Sequence, residues 1–126
     1  MAIISLNRDN YLIDDGNAPK IVITDLAGIP GGRALDVNGW SEDVIRAGHI
    51  IKINAAGDYA PLGVSDGAYV ALEEGESYAG VLKVAVLKDK AMAAILTMGE
   101  INASACPYPI SKAIADAMPQ IKFLYM

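Results

Sequence analysis

The feature that most constrains the fold is a pair of long apolar runs separated by three charged residues. Residues 78–87 read YAGVLKVAVL, a run rich in β-branched side chains that is typical of a strand. The tripeptide KDK at 88–90 then favours a hairpin turn, and residues 91–105 form a second apolar run that Gly99 interrupts. Together the two runs predict a β-hairpin and a chain organised around a sheet.

Shorter elements precede this hairpin. Residues 41–48, SEDVIRAG, predict a helix of one or two turns that Ser41 caps and Gly48 ends. Residues 49–54 alternate between the two sides of a strand. A turn follows, and residues 59–64 contain a proline, which predicts a strand at the edge of a sheet.

A helix and a strand are predicted after the second apolar run. Residues 111–118 place apolar side chains at helical spacing behind Ser111 as the N-cap, and Pro119 ends the helix. Residues 120–126 predict a final strand. The fold class is therefore mainly β, α+β at most, with two short helices.

The first part of the chain has weaker patterns than the rest. Residues 1–30 are interrupted by turn signals and predict an irregular N-terminal arm, with strand candidates at residues 3–6 and 20–24. Residues 31–126 are predicted to form a single β-rich domain. A chain of 126 residues is long enough to bury a core of its own.

Composition excludes several classes of function. The formal charge of −5 and the scattered basic residues argue against binding to a nucleic-acid backbone. A single cysteine excludes an intramolecular disulfide, and neither a signal peptide nor a membrane span is expected. The hydrophobic fraction of 53% is high for a soluble protein, which indicates either an efficient core or an apolar contact with another subunit.

His49 is the only histidine and therefore the first candidate for chemistry. A histidine-pair metal site needs a second histidine, and a Cys/His dyad with Cys106 lacks any feature that would lower the thiol pKa. We interpret His49 as a structural residue at the start of a strand and Cys106 as a small buried apolar side chain.

The remaining candidates do not match a catalytic or metal-binding motif. Residues 28–33, GIPGGR, lack the Gly-Lys-Ser/Thr ending of a phosphate loop, and Trp40 is expected to pack over the short helix. Asp9, Asp14 and Asp15 lack the ligand order of a calcium loop. We interpret Glu73, Glu74 and Glu76 as a solvated loop, since like charges so close would repel each other in a buried site. We predict no catalytic residue, no cofactor and no metal.

From Gly31 onward the order of segments resembles a known family. The matching stretches are GGRALDVNGWSEDVIRAGHIIKI, GDYAPLGV, YAGVLKVAVLKDKAMAAILTMGEINASACPYPI and AIADAMPQIKFLYM. They resemble the head fibre or head decoration proteins of tailed bacteriophages and, more distantly, the lambda-type trimeric capsid-stabilising protein. Residues 1–29 match less clearly, and the chain is too short to carry the long projecting tail of a fibre.

The resemblance implies a non-enzymatic virion protein of a phage or prophage. It implies a homotrimer that is made in the bacterial cytoplasm and binds the major capsid protein at the outer capsid surface. The arm, residues 1–30, is expected to dock by adding a strand to a sheet edge of the shell. Two alternatives remain: a carbohydrate- or host-surface-binding module on a particle, and a small β-barrel enzyme that would need His49 beside an acid in a pocket.

Overall fold

β-strands dominate the folded chain, and the predicted mainly-β fold class is confirmed. The structure, a computed structural model, describes residues 21–29 and 31–126. Within these residues the strands are β1 (Val22–Gly28), β2 (Arg33–Ala34), β3 (Val44–Ile45), β4 (Ile50–Ile53), β5 (Tyr59–Pro61), β6 (Val64–Ser65), β7 (Ala68–Tyr69), β8 (Ser77–Leu82), β9 (Val86–Leu87), β10 (Met92–Ala93), β11 (Ile95–Asn102) and β12 (Ile121–Leu124). The single α-helix of the described residues, α1, spans Lys112–Ala117.

A six-stranded sheet forms the centre of the molecule, with the order β1-β11-β8-β4-β5 and β12 attached to β11. β12 is parallel to β11, whereas the other pairings in this sheet are antiparallel. β11 is shared between neighbours because its first two residues pair with β8 and its last four pair with β12. Three two-stranded ladders, β2–β10, β3–β9 and β6–β7, lie outside this sheet.

The predicted hairpin is present, but its connection is much longer than a turn. β8 and β11 pair antiparallel at Leu82 and Ile95. Between them the chain leaves the sheet at Lys83, whose N–H donates to the carbonyl of Ala94 at 2.9 Å. The KDK segment, Lys88–Lys90, is a 3-10 turn between β9 and β10, and these two strands pair with β3 and β2 rather than with each other.

Both faces of the central sheet are buried. Consecutive residues of one strand point to opposite faces, and Ile50 and Ile51 are both fully buried. The first core, on the Ile50 side, contains Ile21, Ala47, Ile50, Leu62, Val81, Leu96, Ile101, Ala103, Ile110, Ile114, Met118 and Ile121. The second core, on the Ile51 side, contains Leu35, Ile45, Ile51, Leu82, Val86, Ala93 and Ile95.

Burial of both faces explains why the strands were read as continuous apolar runs rather than alternating ones. Val81 and Leu82 are consecutive and each belongs to a different core. In a sheet with one solvent-exposed face, either residue 81 or residue 82 would be polar.

Glycine permits the close approach of β8 and β11. A Cβ on Gly80 would lie 2.2 Å from the backbone oxygen of Leu96, a distance that no side chain tolerates. Gly99, with φ of 152°, plays the same part between β11 and β1, where a Cβ would lie 2.0 Å from the backbone oxygen of Thr24. Gly99 therefore does not end the strand. It lies within β11, at a point where the backbones of β11 and β1 come too close for a side chain.

The predicted helix at residues 41–48 is wrong. Val44 and Ile45 instead form β3, which pairs with β9, and Ile45 is fully buried in the second core. The local capping pattern favoured a helix, but packing of Ile45 against the sheet overrides this weak local preference. The predicted stop at Gly48 is a turn, with φ of 87°, that leads directly into β4.

The predicted helix at residues 111–118 is confirmed. The Ser111 hydroxyl accepts a hydrogen bond from the Ile114 N–H at 3.2 Å, as an N-cap does. Ile110, Ile114 and Met118 are buried in the first core. The predicted final strand is also present as β12, which continues from this helix into the sheet.

Among the described strands, β5 and β1 stand at the two ends of the sheet order. β5 contains Pro61 and lies at the end of the strand order, as predicted for an edge strand. β1 covers part of the predicted arm, and Ile21, directly before it, is fully buried in the first core. Residues 21–29 therefore belong to the folded body. The strand predicted at residues 3–6 lies outside the described residues.

Candidate functional site

His49 lies directly before β4 and is almost completely buried, with 1% of its surface exposed. Its Nε2 lies 2.8 Å from the carbonyl oxygen of Leu62. Because a carbonyl only accepts hydrogen bonds, Nε2 must carry the proton that is donated. The imidazole therefore links the start of β4 to the chain after β5 through a donated hydrogen bond.

Three aromatic rings surround the imidazole edge to face. Their centroids lie 5.0 Å (Trp40), 5.1 Å (Tyr69) and 5.7 Å (Tyr108) from that of His49. Burial in this cluster lowers the pKa of His49 to about 4, against the opposing effect of the hydrogen bond to Leu62. The pairing with an acid that a histidine-based enzyme would need is not found: within residues 21–29 and 31–126, no Asp or Glu forms an ion pair or hydrogen bond with His49.

Burial also keeps Tyr69 and Cys106, two ionisable groups at this cluster, in their neutral forms. The Tyr69 hydroxyl accepts the N–H of Ile50 at 3.2 Å, and burial raises the pKa of this tyrosine. Burial likewise raises the pKa of Cys106 to about 11, and its thiol lies 3.6 Å from the carbonyl oxygen of Asn102. A thiol with this pKa is a poor nucleophile at neutral pH because the thiolate is the reactive form.

Trp40 packs on His49 rather than on a helix, so the predicted surroundings of this side chain are wrong. Its Nε1–H donates to the carbonyl oxygen of Val44 at 3.1 Å, which ties the indole to the start of β3. The half-buried ring lines two surface clefts that share Gly39 and Gly63. Trp40 therefore contacts the buried His49 and also lines both clefts at the surface.

The larger of the two clefts beside Trp40 has a volume of about 280 Å³ and a polar lining. Lys52 and Glu76 line it as an ion pair with Nζ and Oε2 2.8 Å apart, and their side chains are only 20% and 7% exposed. The hydrogen bond from Lys52 holds the pKa of Glu76 below its ordinary value, assisted by the N–H of Glu73. The Glu76 carboxyl is therefore ionised at neutral pH.

Amide and carboxylate groups complete this lining. Asp36 accepts the N–H of Asn38 on Oδ1 at 3.1 Å and faces the amide nitrogen of Asn54 on Oδ2 at 3.5 Å. The Oδ1 of Asn54 accepts two backbone N–H groups of the β4–β5 turn, from Ala56 and Asp58, at 3.0 Å each. These bonds fix the positions of the polar groups before any ligand arrives.

Four polar residues of this cleft carry no recognisable motif in the sequence: Asp36, Asn38, Lys52 and Asn54. These residues come from two separate segments, the loop after β2 and the β4–β5 hairpin, so no motif spacing connects them. The available signal was local, since Asp and Asn at the start of a turn commonly bind the backbone two residues on. It predicts turns rather than a shared cleft.

The remaining candidates are dispersed. In the loop considered for phosphate binding, Gly28 ends β1 and Arg33 begins β2, which pairs with β10. Glu73 and Glu74 are exposed, and Asp9, Asp14 and Asp15 lie outside the described residues. In the part of the chain that the structure describes, no cluster of three or more His, Cys, Asp or Glu could hold a metal ion.

The exposed apolar side chains are concentrated at few places. On β1, at the end of the central sheet, Ile23 is 42% exposed and Leu26 is 66% exposed. Tyr125 and Met126 are exposed after β12, and Met92 is exposed on β10. β1 therefore carries two exposed apolar side chains, and within the described residues its backbone pairs on one side only.

No protein family, no curated protein and no solved structure gives a significant match to this chain. No helix within residues 21–29 and 31–126 is long and apolar enough to cross a membrane.

Proposed function

We propose that this chain is a structural virion protein, a decoration or head-fibre subunit that binds the outer face of a phage or prophage capsid as a homotrimer. The observation that carries the proposal is the position of the segments that resemble this family. GHIIKI, YAPLG, YAGVL, GEIN and the last strand contribute to β4, β5, β8, β11 and β12, which are all strands of one sheet. Segments scattered along the sequence thus form a single structural unit.

The edge strand β1 supports the proposal by offering a surface for assembly. Isolated edge strands present unpaired N–H and C=O groups, and soluble proteins usually protect them with charge or cover. Here Ile23 and Leu26 are exposed on that edge. We assign this edge to contact with a neighbouring subunit or with the major capsid protein, in the manner of strand addition.

The burial and the hydrogen bond of His49 also agree with a non-enzymatic role. A general base has to reach the proton that it removes. The imidazole Nε2 is committed to the carbonyl of Leu62, and the ring is enclosed by aromatic side chains.

The proposal is tested by oligomeric state and by binding to shells. Light scattering on the purified full chain is expected to give a trimer, and sedimentation with expanded shells that lack decoration is expected to give saturable binding. A strict monomer that also fails to bind such shells would overturn the proposal.

Two matched variants test the role of β1. Leu26→Asp places a charge on the exposed edge and is expected to weaken trimer formation or shell binding at least about tenfold, as a desolvated charge does in an interface. Met92→Asp places the same charge at another exposed apolar position, on β10, and is expected to leave both trimer formation and shell binding unchanged. If the two variants form trimers and bind shells equally well, β1 is not the contact surface. The decoration role itself is decided separately, by whether the parent chain binds shells.

A further inference from the structure

The cleft beside Trp40 combines an aromatic wall with polar groups that can both donate and accept hydrogen bonds. Lys52 uses one N–H on Glu76 and retains two further donors. The side-chain amide of the exposed Asn38, which makes no hydrogen bond within the described residues, offers a donor and an acceptor. Asp36 retains acceptor capacity because a carboxylate accepts about four hydrogen bonds and this one is contacted by two.

The charges in the cleft select against an anion. Asp36 and Glu76 are negative and Lys52 is positive, so the lining carries a net charge of −1 from these three groups. The positive charge is already paired at 2.8 Å with a nearly buried carboxylate. A phosphate or carboxylate ligand would therefore meet net repulsion.

The size of the cleft limits the ligand to a small molecule or one ring of a longer one. A volume of about 280 Å³ is at the lower end of ligand sites in proteins. The apolar wall is the indole of Trp40, and the polar groups of Asp36, Asn38 and Lys52 line the same space.

We propose that this cleft binds a single neutral saccharide ring, such as one terminal residue of a glycan. A pyranose has hydroxyl groups that both donate and accept hydrogen bonds, which matches the mixed lining, and an apolar C–H face that packs on an indole. The site adds a ligand-binding activity to the proposed decoration role and does not depend on it. A decorated particle would then present one such cleft on each subunit.

Pre-organisation supports a binding site over an accidental depression. Asn54 and Asp36 are held by bonds to the turn backbone and to each other. Glu76 is held by Lys52 and by the N–H of Glu73 at 3.0 Å. A site whose polar groups are already fixed loses less conformational entropy on binding.

The chain has one tryptophan, Trp40, so its indole fluorescence comes from a side chain that lines this cleft. The full chain is titrated with glucose, galactose, mannose and N-acetylglucosamine, and saturation-transfer NMR provides a second readout that does not need the indole. At least one sugar is expected to give saturable binding with a dissociation constant on the order of 1 mM, as a ligand of this size allows.

Variants identify the site. Asn38→Ala removes an exposed amide and is expected to weaken binding by at least about fivefold, because a hydrogen bond to a sugar hydroxyl is lost. Trp40→Ala is expected to abolish the NMR signal, and Trp40→Phe to retain part of it. Gln120→Ala, an exposed amide in a different cleft formed by β8, β11 and the end of α1, is the control and is expected to bind as the parent does.

Thermal unfolding of each variant separates loss of the site from loss of the fold. The inference is wrong if no sugar gives a saturable signal at concentrations about a hundredfold above the expected constant. It is also wrong if Asn38→Ala binds as tightly as Gln120→Ala does. Saturable binding of arginine amide without binding of any sugar would overturn it too, since that result identifies a site for a cationic side chain.

Discussion

Acidification is expected to destabilise this protein through His49 before any carboxylate contributes. The imidazole is neutral in the folded state, with its pKa lowered from 6.5 to about 4 by burial. In the unfolded chain the same group titrates near its ordinary value. Between these two values the unfolded state binds more protons than the folded state, so the free energy of unfolding rises with pH and falls as the solution is acidified.

The magnitude follows from the difference between the two pKa values. Each pH unit between them corresponds to about 1.4 kcal/mol, so the whole effect of His49 is about 3 kcal/mol. From about pH 7.5 to about pH 5 the expected loss is about 2 kcal/mol. The lowered pKa of Glu76 acts in the same direction, but its contribution is lost only as the pH falls below its ordinary value of 4.5.

Tyr69 and Cys106, two ionisable groups near His49, do not titrate in this range. Burial raises the pKa values of both Tyr69 and Cys106, so these groups stay neutral above pH 5. The change between pH 7.5 and pH 5 can therefore be assigned to the imidazole. Urea unfolding at a series of pH values measures it, with Trp40 fluorescence as a probe 5.0 Å from the imidazole centroid and circular dichroism as the second probe.

His49→Gln is the control for this prediction. The amide can still donate a hydrogen bond toward the Leu62 carbonyl, but it does not titrate, so this variant is expected to lose the pH dependence above pH 5 whatever its absolute stability. A parent protein with flat stability across this range would refute the reasoning. So would a His49→Gln variant that retains the parent's slope.

Three further predictions concern stability and reactivity. Gly80→Ala is expected to cost about 3 kcal/mol because its Cβ would meet a backbone oxygen, whereas Gly57→Ala, where φ is 90° and no atom lies within 4 Å, is expected to cost about 1 kcal/mol; urea unfolding of both compares them. Ser111→Ala removes the N-cap of α1 and is expected to cost about 1 kcal/mol, with Ser111→Asn retaining most of the stability. Alkylation of Cys106 at about pH 8 is expected to be roughly a hundredfold slower in the folded than in the urea-unfolded chain, because the pKa of this half-buried thiol is raised to about 11. Equal rates would contradict a protonated thiol in the folded state.

The sequence pattern was most reliable where local signals and packing agree. The helix after Ser111 was predicted because a capping residue, apolar spacing and a terminating proline all indicate the same element. The edge position of β5 followed from Pro61, which cannot donate a ladder hydrogen bond. In both cases the physical cause is contained within a few consecutive residues.

The pattern failed where distant packing decides the structure. A cap and acidic residues at 41–43 favoured a helix, yet Ile45 is required in the second core and β3 forms instead. The KDK segment predicts a hairpin turn because a long apolar run lies on each side of it. Nothing local shows that the chain leaves the sheet after Leu82 to form β9 and β10 before returning at Ile95.

The cleft beside Trp40 could not be predicted for the same reason. Asp36 and Lys52 are 16 positions apart, with β3 between them. They share a cleft because the bridge between Leu35 and Tyr59 brings the loop after β2 against the β4–β5 hairpin. Trp40 was noticed as an aromatic residue. Its surroundings depend on the burial of His49, which is set by the fold of four separate segments.

The high apolar content of the chain has a different meaning once the sheet is known. A fraction of 53% suggested either an efficient core or a subunit contact. The central sheet is covered on both faces, and two separate cores use most of the large aliphatic side chains of the described residues. Composition alone is therefore no argument for assembly. The argument comes from position, because Ile23 and Leu26 are exposed on β1, a strand that pairs on one side only within the described residues.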